Sequence, residues 1–309
     1  RAILEFVEIL YRNGFHKLKK EEEKMGYQYI QVEEQDKVLI ITMDDPKTRN
    51  AIGPEMFEEI STEIDRLEQD PNLRCLVLTG KDPAFCSGAN VRGMAKNIEK
   101  GEQEGQKKEL LEKPWDAVSE RENDPAYLEE TVEGVRSLPI RLSRLQKPSI
   151  AAVNGFAMGL GLGIALSCDI RFSSEKANFS ETFIMRGLIP ADGSCWQLPR
   201  MIGLSNTFMM QYTGDRIDPE TALRMGLISK ICAHENIMEE TVAFAKRIAD
   251  SPTYSMGVIK WLVQRSLEVD FVTSMKLSGV AQTVARETFD HKEGVQAFIE
   301  KRKPAYKGK

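Results

Sequence analysis

The stretch from Ser149 to Asp169, S-I-A-A-V-N-G-F-A-M-G-L-G-L-G-I-A-L-S-C-D, constrains this chain more than any other. An apolar strand pattern runs into a turn broken by Gly155, Gly159, Gly161 and Gly163, and then into a second apolar run. Lacking a Cβ, a glycine backbone takes φ > 0, approaches a ligand closely and lets successive N–H groups point at one spot. At a helix start such a turn is a cradle for negative charge. Tight helix–strand packing with no ligand also accounts for these glycines. The segment is not a P-loop, which needs a Lys and a hydroxyl that are missing here, and the G-x-G-x-x-G spacing does not fit.

A second turn of the same kind follows the strand pattern C-L-V-L-T-G at Cys75–Gly80, in A-F-C-S-G-A-N-V-R-G-M. One N–H from each turn, converging on a single carbonyl oxygen, would stabilise an enolate or a tetrahedral oxyanion. Removal of one such donor costs about 10²–10³ in rate. Branched-residue runs predict buried strands at Lys37–Met43, Cys75–Thr79 and Ile150–Asn154, and helical spacing predicts a helix over Pro54–Gln69. Strands alternating with helices argue for an α/β domain.

Both turns, with the segments around them, resemble the enoyl-CoA hydratase/isomerase (crotonase) superfamily from about residue 27 to the last residue. The resemblance is carried by D-D-P-K-T-R-N-A-I at Asp44–Ile52, S-G-A-N at Ser87–Asn90, K-P-S-I-A-A-V-N-G at Lys147–Gly155 and C-D-I-R-F-S-S-E-K-A-N-F at Cys168–Phe179. It continues in the runs Thr213–Ile228 and Lys292–Lys303. It implies an α/β fold, a crotonase-like spiral of ββα repeats with a C-terminal helical region that packs on a neighbouring subunit. Homotrimers or homohexamers would follow. It also implies an acyl-CoA thioester substrate and no separate cofactor, since coenzyme A enters as part of the substrate.

Composition agrees with a cytoplasmic enzyme of one large domain or one domain plus an appendage: 309 residues, 41% hydrophobic, formal net charge −5. Mild acidity without a basic block argues against nucleic acid as the main partner, and no apolar run has the roughly 18 residues of a membrane span. The five cysteines show no CxxC or His-paired spacing, so reduced thiols are expected rather than disulfides or a metal site. Residues 1–24 have helical periodicity ahead of the resemblance and are expected to be an extension upstream of a natural start at Met25. Residues 25–215 are then the spiral core and 216–309 the helical region for oligomerisation and closure of the CoA pocket. A polar insertion at about 95–133 reads either as a lid over the acyl pocket or as a solvated helical insertion.

Residue by residue, the resemblance puts the first oxyanion donor at the Ala89 N–H and the second at the Leu160 N–H, beside a helix beginning near Gly161. Hydratases of the family use two glutamates to position and activate water, and both are absent: Gly163 and Phe183 stand in their places. Glu181, two positions from the second, is a weaker substitute. Asp192 is the remaining acid of the region. Either it bonds its own backbone in a turn between Pro190 and Gly193, or it is desolvated among Phe183, Leu188, Ile189 and Trp196 so that its pKa rises and it moves a proton. For coenzyme A the resemblance suggests Lys47 and Arg49, the segment Ser87, Gly88, Asn90 and Arg92, and Gly159, with Lys260 and Lys301 in the C-terminal helices reaching a phosphate on their own or a neighbouring subunit. Ordinary surface charge is the alternative for each cation. None of His16, His234 and His291 lies in either turn.

Three reactions fit an enolate at these donors. The first is hydration of an unusual cyclic or dienoyl enoyl-CoA with Asp192 as acid/base. Double-bond isomerisation is the second, needing only one carboxylate, and thioester hydrolysis or ring opening is the third. A non-catalytic acyl-CoA-binding protein stands apart from these.

Overall fold

A six-stranded and a three-stranded sheet are wound largely from repeated strand–strand–helix units, and the candidate site is built on the turns that follow their strands. The computed structural model describes residues 26–90, 125, 128–129 and 132–309. It opens with β1 (Ile30–Gln35) and β2 (Val38–Met43), an antiparallel pair, followed by α1 (Pro54–Gln69). Then come β3 (Cys75–Gly80), β4 (Ala84–Cys86), α2 (Leu138–Arg144), β5 (Ser149–Val153), β6 (Phe156–Met158), α3 (Leu160–Ser167), β7 (Ile170–Ser174) and β8 (Asn178–Ser180). The larger sheet has the order β1-β2-β3-β5-β7-β9 and the smaller β4-β6-β8, every pair beyond β1-β2 being parallel. The pairs β3/β4, β5/β6 and β7/β8 therefore each give their first strand to the larger sheet and their second to the smaller. This winding is the expected spiral of ββα repeats.

The predicted elements fall where the periodicity put them, with small shifts: α1 has the expected bounds, and α3 begins at Leu160 rather than Gly161. α1 places Met56, Ile60, Ile64 and Leu67 on one face towards β1 and β2, the i, i+4, i+8, i+11 stripe of an amphipathic helix. α3 is buried at all eight residues, because it lies inside the spiral with sheet on one side and helix on the other.

After β8 come α4 (Ser194–Thr213), α5 (Pro219–Met225), β9 (Lys230–Cys232), α6 (Ile237–Ala249), α7 (Thr253–Ser266), α8 (Phe271–Glu287) and α9 (Phe289–Glu300). The segment 216–309 is thus not purely helical, since β9 completes the large sheet beside β7. α8 buries none of its residues, and Phe271 and Phe298 are 79% and 85% exposed. No helix among the described residues is long and apolar enough to cross a membrane. All five cysteines are free thiols. Residues 1–24, Arg92 and nearly all of 95–133 lie outside the described residues.

Candidate active site

The two glycine turns meet because Gly161 lets α3 lie directly on the end of β4. A Cβ on Gly161 would stand 2.8 Å from the Cβ of Cys86 and closer still to the Cys86 carbonyl oxygen, so no larger residue fits. Gly159 caps α3 at φ 50°, ψ −121°, a conformation that side chains resist, and its own N–H donates to the Ser180 carbonyl at 2.9 Å. Leu160 is the first residue of α3, so its N–H has no carbonyl one turn back. In the other turn, the Ile52 N–H donates to the Gly88 carbonyl at 2.9 Å and the Asn90 N–H to the Ile52 carbonyl at 3.0 Å. This pairing secures the residues on either side of Ala89 and leaves the Ala89 N–H without a partner among the described residues.

Ala89 and Leu160 line one cavity of about 290 Å³. Ser87, Gly88, Asn90, Thr48 and Ala51 form one wall, and Gly159, Thr182, Phe183, Arg186 and Leu188 the other. Of the sequence-based candidates, Ala89, Leu160, Ser87, Gly88, Asn90, Gly159 and Phe183 are brought together here. Lys47 and Arg49 are exposed on the segment beside it, where the Arg49 carbonyl accepts from the Ser87 N–H at 3.0 Å and the Ser87 hydroxyl donates to the Thr48 carbonyl at 2.7 Å. Asn50, which the sequence did not single out, is buried and ties this segment to β4, donating to the Ala84 carbonyl at 2.7 Å. Its only sequence signal was its place in the D-D-P-K-T-R-N-A-I run.

Other candidates sit elsewhere. Trp196 points outward under the Arg200 guanidinium, 4.0 Å from its ring centre, because the first turn of α4 presents it to the surface. Lys260 pairs with Asp169 at 2.9 Å and donates to the Leu142 carbonyl, on the far side of α3. Trp196 and Lys260 share a different cavity of about 540 Å³. Lys301 is the exposed left-handed residue that ends α9. Nor does Gly163 touch the cavity: a Cβ there would stand 2.6 Å from Cγ of Asp192 and 2.7 Å from its Cβ, so Gly163 makes room for that carboxyl.

Asp192 is buried, yet it does not line the cavity, so the desolvation read from its apolar neighbours comes instead from packing on α3. Its Oδ1 accepts the Ser194 N–H at 3.1 Å and its Oδ2 has no partner. The turn-type bond to its own backbone and the buried acid therefore coexist. Glu181 is fully buried as well; its Oε2 accepts the Ser194 hydroxyl at 3.1 Å and its Oε1 has no partner. Burial, then the neighbouring Asp192, pushes the Glu181 carboxyl up to about 9. Burial likewise raises Asp192 above the usual carboxylate range, against the bonds from Ser194. The sequence left the nearness of Glu181 to Asp192 unread, because residue spacing does not show which carboxyls share an interior. His234 lies away from both turns, between the Ser174 hydroxyl at 2.9 Å and Asp82 at 3.0 Å, in a larger cavity of about 680 Å³.

Matching of the family profile described as Enoyl-CoA hydratase/isomerase extends over residues 33–125 and 120–309. The chain belongs to this family. As a member of the enoyl-CoA hydratase/isomerase family it is 34% identical over 285 residues to a mitochondrial enoyl-CoA hydratase of Pongo abelii, covering 91% of this chain and 89% of that one. It is 30% identical to the 1,2-epoxyphenylacetyl-CoA isomerase of Escherichia coli, over 88% of this chain and 95% of the relative. A crystal structure titled as an enoyl-CoA hydratase subunit of Geobacillus kaustophilus superposes with a TM-score of 0.77 at 30% identity, covering 92% of this chain and 99% of that one. The enoyl-CoA hydratase/isomerase assignment makes the chain an enzyme of the lyase or isomerase type.

Proposed function

We propose that the chain shifts the double bond of an enoyl-CoA thioester, with the Ala89 and Leu160 N–H groups holding the thioester oxygen and Asp192 carrying the proton. The observation that carries this reading is the placement of Gly163 and Phe183. Where a hydratase would present two carboxylates to a water, this site offers an aromatic ring at the cavity wall and a glycine filled over by one aspartate. One carboxylate suffices for isomerisation. A C–H bond of the acyl chain breaks as Asp192 gains the proton, the electron pair passes to the thioester oxygen as an enolate, and the proton returns to a different carbon. The enolate charge falls on two preset N–H donors and the N-terminal end of α3. Because Asp192 does not line the cavity, the reading requires the bound acyl chain to part the wall at Phe183.

Hydration of a cyclic or dienoyl enoyl-CoA, with Asp192 as acid/base, is the second reading, favoured by the hydratases among the relatives. The apolar surfaces left open on α4, α8 and α9, including Leu204, Tyr212, Phe271 and Phe298, fit assembly as a homotrimer or a pair of trimers. Incubation with linear, branched, dienoyl and cyclic enoyl-CoA thioesters, read by chromatography and mass spectrometry, separates the possibilities. An unchanged mass at a new retention time supports isomerisation, and a mass change of one water supports the second reading. Release of free coenzyme A, or no product from any thioester, sinks both.

A further inference from the structure

Behind the cavity, Ser194 holds two carboxyls at once, its N–H on Asp192 and its hydroxyl on Glu181. Each carboxyl keeps one oxygen without a partner, Oδ2 of Asp192 and Oε1 of Glu181, and both residues are at most 2% exposed. Two bare carboxylates cannot share a dry interior without a cation. None of the described cations faces them: Arg186, close in sequence, is exposed and donates to the Thr182 carbonyl. The remaining titratable group nearby is Cys195, from the first turn of α4, whose thiol is itself pushed up by burial and then by these two acids.

We propose that Glu181 is the positioning partner of Asp192, the two carboxyls holding a single proton between them and Ser194 fixing one oxygen of each. This rests on the reading of Asp192 as the proton carrier. With Glu181 neutral, Asp192 is the ionised member and begins turnover as the base. After it takes the substrate proton both carboxyls are neutral, the negative charge sits on the thioester oxygen, and the proton goes back to carbon as Asp192 ionises again. When Glu181 also ionises, the second charge makes Asp192 retain the proton it has taken, so the return step slows and kcat falls.

The test is the pH dependence of kcat on the best enoyl-CoA substrate for the wild type, Glu181→Gln and Asp192→Asn. Wild-type kcat should fall as the pH rises through about 9, where Glu181 ionises. In Glu181→Gln, whose amide never ionises, that alkaline fall should be absent, with kcat at pH 7 reduced by about tenfold or less and KM little changed. An unchanged alkaline limb in Glu181→Gln overturns the proposal, and so does a folded Glu181→Gln that is inactive at every pH, since Glu181 would then react itself. Turnover retained in Asp192→Asn instead refutes the underlying reading, which the other two outcomes leave standing. Should Glu181→Gln fail to fold, Ser194→Ala serves, because loss of the hydroxyl that favours ionised Glu181 should move the limb to higher pH. No movement in that variant counts against the proposal.

Discussion

Gly163 and Asp192 occupy one space between them: the aspartate's Cγ lies 2.6 Å from where a Cβ on Gly163 would be. The glycine on α3 leaves the room that a carboxyl from the loop before α4 fills.

Gly163→Ala should therefore push the Asp192 carboxyl off its bond to Ser194 while leaving the donors at Ala89 and Leu160 in place. We expect kcat to fall by about 10- to 100-fold with acyl-CoA affinity within a few-fold. Steady-state kinetics and isothermal titration with a non-reacting acyl-CoA would check this, and equal losses in both would refute it.

Asp192→Asn removes the proposed proton carrier but keeps the shape. Turnover should drop by about 10²–10⁴, the range for a positioned acid/base, with thioester affinity again nearly unchanged. Binding that weakens in step with kcat would mean a structural role instead.

Gly161→Ala tests the oxyanion geometry, since its Cβ would collide with β4 at Cys86. Separating the two turns should lower kcat/KM by about 10²–10³, and overpacking of this buried site should cost about 1–3 kcal/mol of stability. Denaturant titration measures the second effect. A variant of normal stability and activity would show that the close approach is not needed.

Stability should depend on pH through Glu181. Its folded-state pKa is raised from 4.5 to about 9, so its stabilising contribution is fully present below pH 4.5 and is lost as the pH climbs towards 9. Glu181→Gln should flatten that decline, so that its melting temperature gains on the wild type progressively from pH 5 to pH 9. Parallel curves for the two proteins would argue against a buried, protonated glutamate.

Much of the fold was legible in the sequence because its elements are set by local pattern. β2 and β3 are unbroken apolar runs buried on both faces, and α1 has a four-residue apolar stripe, so their bounds emerged nearly unchanged. The two turns that carry Ala89 and Leu160 were legible for a similar reason, since their glycines stand in the sequence. Trp196 and Lys260 stand at another cavity because the sequence says that an aromatic or a cation is near a site but not which way its helix faces.

By itself, then, the sequence determined the alternation of strands and helices and the two glycine turns, consequences of residue order over short spans, and the spiral followed only from the family that those segments resemble. Only the tertiary structure decided that Gly161 brings those turns onto one cavity, that Asp192 fills the space over Gly163, and that Glu181 meets it through Ser194. These are contacts between residues 13 to 75 positions apart in the chain, fixed by packing in an interior where a carboxyl without a partner is costly.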